Sequence, residues 1–154
     1  MKQALDIRTK ARAYAFLLLK SRPRSEKEIR DRFKLKKYTH EVIQDTIAFL
    51  KAKRFIDDAA FARLWCESRL KKPLGLRKIN QELRVKGIDP AIIEQTLAAA
   101  QEVMPESETI LRLARAKYEK IVHNDPDAAK QRIYALLLRR GFAPEEALDA
   151  IDQL

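Results

Sequence analysis

The chain has 154 residues, 46% hydrophobic and 35% charged, with only 3 Gly and 6 Pro. Apolar residues recur from end to end, which excludes a disordered chain, and few breakers beside abundant Ala, Leu, Ile, Lys, Arg and Glu favour helices. The net charge of +10 is uneven: residues 1–57 hold 16 Lys/Arg against 7 Asp/Glu, residues 58–105 hold 8 against 6, and residues 106–154 hold 8 against 9. Such a gradient points to a polyanionic partner for the first part. The lone Cys66 excludes an internal disulfide and, with no apolar run of about 18 residues and no export signal, predicts a cytoplasmic protein that does not enter membranes.

Taken in chain order, the first amphipathic stretch is Ala11–Lys20, with Tyr14, Leu17 and Leu18 at helical spacing. Ser25 and Glu28 form a capping box that opens a second helix ending near Lys37, and Thr39 caps a third. Asp58–Leu70, with Phe61, Leu64 and Trp65, is followed by a helix through Ile79 and Leu83 to Gly87, then by an Asp89–Pro90 helix start. Ser107–Ile121, with Ile110, Leu113, Ala114, Tyr118 and Ile121, precedes the Asp125–Pro126 start, and the last helix opens at Pro144 after the poor cap Ala143.

These elements are three copies of one unit. Ile29, Phe33, Leu35, Lys37, Tyr38, Thr39, Ile43 and Ile47 align without a gap on Ile79, Leu83, Val85, Gly87, Ile88, Asp89, Ile93 and Leu97. The third copy gives Ile133, Leu137, Gly141, Phe142, Ala143, Ala147 and Ile151. Gly87 and Gly141 stand where a helix end wants a left-handed residue; Lys37 takes that place in the first copy. The expectation is an all-α fold of three tandem three-helix repeats, 8–57, 58–104 and 106–154, stacked into an elongated, curved array of unspecified hand. Units this small are expected to bury their apolar faces against one another.

The sequence offers little chemistry. His40 and His123 lie in different repeats, Cys66 has no second thiol, and glycines at 75, 87 and 141 build no phosphate loop. Asp57–Asp58 and Glu145–Glu146 begin helices, where negative charge is favoured. The expectation is no catalytic residue, no metal and no cofactor. The third helices begin Thr39–His40–Glu41, Asp89–Pro90–Ala91 and Ala143–Pro144–Glu145, none of which suits a base-reading helix. Basic residues gather instead around the first inter-helix loop and second helix: Lys20, Arg22, Arg24, Lys27, Arg30, Arg32, Lys34, Lys36 and Lys37 in the first copy. Arg69, Lys71, Lys72, Arg77, Lys78, Arg84 and Lys86 follow in the second, and equivalent segments of stacked repeats are expected to align along one side.

Three runs carry a family resemblance. Arg24–Ser25–Glu26–Lys27–Glu28–Ile29–Arg30 resembles the opening segment of RecX proteins, and Phe55–Ile56–Asp57–Asp58–Ala59–Ala60–Phe61–Ala62 resembles their central signature. Arg69, Gly75, Ile79, Glu82, Leu83, Lys86, Gly87 and Ile88 continue it, while Arg54 and Lys37 stand where the family often has Gly. The resemblance implies a cofactor-free regulator that binds RecA and the RecA–DNA filament and inhibits its recombinase, ATPase and coprotease activities. Arg22, Arg24, Arg30, Arg69, Lys72, Arg77, Lys78, Arg84 and Lys86 are the candidate partner- or DNA-binding residues of an expected monomer. Asp57, Asp58, Phe61, Ala62, Gly75, Ile79, Glu82, Leu83 and Gly87 are expected to be structural. A sequence-independent DNA-binding protein and a helical scaffold with other partners are the alternatives.

Overall fold

The computed structural model describes residues 2–123 and 125–154, with side chains from Asp6 onward. These residues form nine helices and no strand: α1 (Lys2–Ser21), α2 (Glu26–Leu35), α3 (His40–Ala52), α4 (Asp58–Leu70), α5 (Leu76–Val85), α6 (Pro90–Val103), α7 (Glu106–Ile121), α8 (Pro126–Arg139) and α9 (Pro144–Asp152). They group as α1–α3, α4–α6 and α7–α9, so the fold is all-α with three tandem three-helix repeats.

Local chemistry sets the boundaries. Ser25 and Glu28 complete their capping box on α2, while Thr39, Asp57, Asp89 and Asp125 cap α3, α4, α6 and α8 with side-chain oxygens. Ala143 leaves α9 without a side-chain cap. The middle helix of each repeat ends in the same left-handed turn. Tyr38, Ile88 and Phe142 donate their N–H groups to the carbonyls of Phe33, Leu83 and Leu137 at 3.2, 3.1 and 3.2 Å. The residue before each has positive φ: Lys37 at 59°, Gly87 at 75° and Gly141 at 86°. Arg54 adopts 57° at the end of α3. The turn thus keeps its shape where the sequence has lysine or arginine, at a cost in backbone strain that glycine avoids.

Each repeat has its own core. Ala11, Ala15, Ile29, Phe33, Ile43, Ile47, Leu50 and Ile56 form one cluster. Phe61, Ala62, Cys66, Ile79, Leu83, Ile88 and Ile93 form the second, and Ile110, Ala114, Ile133, Leu137, Phe142, Ala147, Ala150 and Ile151 the third. This corrects the expectation that neighbours bury one another's apolar faces: helices pack within repeats, and the junctions are polar. Leu17, Leu64, Leu35 and Val85, read from spacing as stripe or repeat positions, are 68%, 53%, 74% and 69% exposed. Ala11 and Ala15 fill the α1 core instead, because small residues let α1 approach α3 closely. The accessible surface of 10313 Å² exceeds the roughly 8,000 Å² expected of a compact monomer of this mass, as an elongated array requires.

Candidate partner-binding surface

The junctions between repeats fix where the basic residues stand. At the first, the Ser25 hydroxyl, fully buried, donates to the Lys86 carbonyl at 2.7 Å, and the Glu26 N–H donates to the Asp58 carboxylate at 2.8 Å. At the second, the Gly75 N–H donates to the Arg140 carbonyl at 2.8 Å, and the Leu76 N–H to the Glu106 carboxylate at 2.6 Å. The device is the same twice. The start of a middle helix is capped by a carboxylate from the first position of the next repeat, which satisfies one of its orphan N–H groups. Burial pushes both the Asp58 and Glu106 carboxyls up, against the downward pull of those N–H donors.

Several signature residues are thereby explained. Asp57 caps α4 through the Ala60 N–H at 3.0 Å, whereas Asp58 reaches across to the preceding repeat. Phe61, Ala62, Ile79 and Leu83 are core, and Gly87 takes the left-handed turn. Gly75 caps the start of its helix with a φ of −75°, which suits any residue. What requires glycine is proximity: a Cβ there would lie 2.2 Å from the Gly141 carbonyl. Glu82 is a hub, accepting from Trp65 Nε1 at 2.9 Å and Arg69 Nε at 2.6 Å.

The candidate cations divide into two groups. Arg22 pairs with Glu28 at 2.9 and 3.1 Å, and Lys86 reaches the same carboxylate at 2.5 Å across the first junction. Burial alone would raise the Glu28 pKa, but these two cations and the Ser25 N–H hold it at about 2. Arg24 donates to the Leu18 carbonyl, and burial lowers its pKa. Arg30 bonds Glu26 and Gln44; Arg69 bonds Glu82 and lies 4.3 Å from the Trp65 ring centre. These five are engaged within the chain. Lys72, Arg77, Lys78 and Arg84 are exposed and, among the described residues, have no carboxylate within 4.0 Å; Arg84 meets only the neutral Asn80 amide. Arg32, Lys34 and Lys37 are equally open on the first repeat, and Lys36, also exposed, lies 5.5 Å from the Tyr14 ring centre. The cleft of about 1110 Å³ between the first two repeats is not a polyanion site, since Glu26, Asp31, Asp57, Asp58 and Asp89 balance its Lys27, Arg30, Lys34, Lys51 and Arg54.

Sequence reasoning missed Ser25, Glu28 and Lys86 as one junction, and Glu106 and Arg140 as the other. One signal was available: the second and third repeats begin with Asp58 and Glu106, whereas the first turn of α1 has no acid. Among the described residues no group of three His, Cys, Asp or Glu side chains could hold a metal ion, and no helix is long and apolar enough to cross a membrane.

Family models match all three units: RecX, first three-helix domain over residues 11–50, second over 57–97 and third over 105–151. Regulatory protein RecX of Haemophilus influenzae (strain 86-028NP) is 31% identical over 91% of both chains. That of Mannheimia succiniciproducens is 32% identical over 93% of both. The crystal structure of RecX from Lactobacillus salivarius covers 97% of both chains with a TM-score of 0.87 at 23% identity, a likeness of fold. With all three repeats matched in order and a relative 31% identical over 91% of both chains, this chain belongs to the RecX family of regulatory proteins.

Proposed function

We propose that this protein binds the RecA recombinase and the RecA–DNA filament in the cytoplasm, chiefly inhibiting recombinase, ATPase and coprotease activity, with no catalysis or cofactor of its own. The observation that carries the reading is the set of unpaired cations Lys72, Arg77, Lys78 and Arg84 on a chain of this family. They sit on and just before α5, and Arg32, Lys34, Lys36 and Lys37 occupy α2 and its end in the preceding repeat. Successive repeats thus present cations from equivalent elements, which suits an extended polyanionic partner. The filament offers both phosphate and protein surface, so it should bind more tightly than bare DNA.

The test compares binding to labelled single-stranded DNA, to RecA filament on that DNA, and to DNA coated by an unrelated single-strand binder. Charge reversal to Glu at Lys72, Arg77, Lys78 and Arg84 should weaken filament binding and leave helicity intact. Added salt should weaken the wild type. Sequence-independent DNA binding is the second reading, favoured by the same cations; equal affinity for bare DNA and filament would support it. Filament binding that survives the reversal would move the interface elsewhere.

A further inference from the structure

The first two repeats treat one groove in opposite ways. Thr46 and Thr96 each donate to the carbonyl four residues back, at 2.8 and 2.7 Å, which places α3 and α6 in a common register. Ala11 and Ala15 of α1 match Ala62 and Cys66 of α4 in burial, and Tyr14 and Trp65 lie under the equivalent cations Lys36 and Lys86. In this register Phe49 corresponds to Ala99, Phe16 to Glu67, Arg12 to Arg63 and Lys20 to Lys71.

In the first repeat the space between α1 and α3 is filled by the chain's own aromatic rings. Phe16 packs edge-on against Phe49 and Phe55, at 6.5 and 4.9 Å between ring centres, and the Arg12 guanidinium lies 3.9 Å over Phe49. In the second repeat the same space is an open apolar cleft of about 440 Å³ lined by Cys66, Leu70, Ala99, Ala100, Val103 and Met104. Val103 and Met104 are 85% and 42% exposed. The Thr96 hydroxyl is spent on its own helix, so polar groups remain only at the rim, as Arg63, Lys71 and Glu67.

We infer that the α4–α6 groove is a docking site for an aromatic side chain carried on an acidic segment of a partner protein. The first repeat shows the occupant's chemistry: phenylalanine rings under an arginine. A ring entering where Phe49 lies in the first repeat would meet Arg63 as Phe49 meets Arg12, and cation–π attraction would add to apolar burial. Two cations against one carboxylate at the rim favour flanking Asp or Glu. A nucleobase suits the groove less, because the lining has no flat aromatic face on which a base could stack.

The test uses the full chain with labelled Ala and Met methyl groups, titrated with the peptide acetyl-Asp-Glu-Asp-Phe-Asp-Glu-amide. Saturable shifts are expected at Ala99, Ala100 and Met104, with affinity lowered roughly tenfold or more when the peptide's Phe becomes Ser. Ala99→Phe, at an exposed position, rebuilds the filled groove of the first repeat; it should abolish the shifts at Ala100 and Met104 without lowering the melting temperature. Val103→Glu blocks the same space from a solvent-facing position, and Arg63→Ala should weaken binding severalfold. No saturable shift, equal shifts with the Ser peptide, or binding that survives both blocking variants would overturn the assignment. So would stronger shifts of these methyls with a thymidine oligonucleotide, or shifts that follow protein concentration alone, which would give the groove to nucleic acid or to a second copy of this chain.

Discussion

The Glu26 backbone N–H ends on the Asp58 carboxylate, 2.8 Å away and one repeat further along the chain. Asp58 is therefore a cap for a helix it does not belong to, and its neighbour Asp57 is the cap for its own. Since burial raises the Asp58 pKa, the junction uses the oxygen more than the charge. Asp58→Asn should stay within about 0.5 kcal/mol of wild type, whereas Asp58→Ala should cost about 1–2 kcal/mol by leaving an N–H unsatisfied. Urea unfolding of the two variants checks this, and equal losses would show that the charge matters.

Gly75 and Gly141 touch backbone to backbone across the second junction. Gly75→Ala is compatible with the local φ but drives a methyl into the Gly141 carbonyl, an overpacking that should cost about 1–3 kcal/mol. Hydrogen exchange should then show loosening at the α5 and α8 ends facing each other, with α1–α3 protected as before.

Lys37 and Arg54 hold left-handed backbone without glycine. Lys37→Gly and Arg54→Gly should each stabilise the chain by about 1 kcal/mol, read as a higher melting temperature. Neither side chain has an ion pair among the described residues that the change would remove.

Glu28 gives the first junction a pH dependence. Its folded pKa of about 2 lies below its ordinary 4.5, so its contribution is complete above about 4.5 and is lost as pH falls towards 2. Asp58 and Glu106 shift upward and act in the opposite sense, favouring the folded chain as they take up protons. Glu28→Gln should therefore lower stability at pH 7 and flatten the acid limb of the stability curve between about pH 4.5 and 2.

Much of the fold was legible because each repeat solves the same local problem. Ile29, Ile79 and Ile133 recur with matched turns, and the caps follow from residue chemistry. What was not legible lies between repeats. Ser25 meets the Lys86 carbonyl and Gly75 meets Arg140, contacts over 61 and 65 residues that no periodicity encodes. The same limit applied to the basic residues. Lys72 and Arg22 look alike in sequence, yet only the folded chain places Arg22 on Glu28 and leaves Lys72 open. Leu35 and Val85 repeat faithfully but point outward, since helical spacing marks a face without saying where the neighbour stands.

The proposed action on RecA is measured most directly as the ATPase rate of RecA on single-stranded DNA while the protein is added. A concentration-dependent fall in rate is expected, weakened by the reversal at Lys72, Arg77, Lys78 and Arg84. An unchanged rate at concentrations where the protein coats the bare DNA would contradict it.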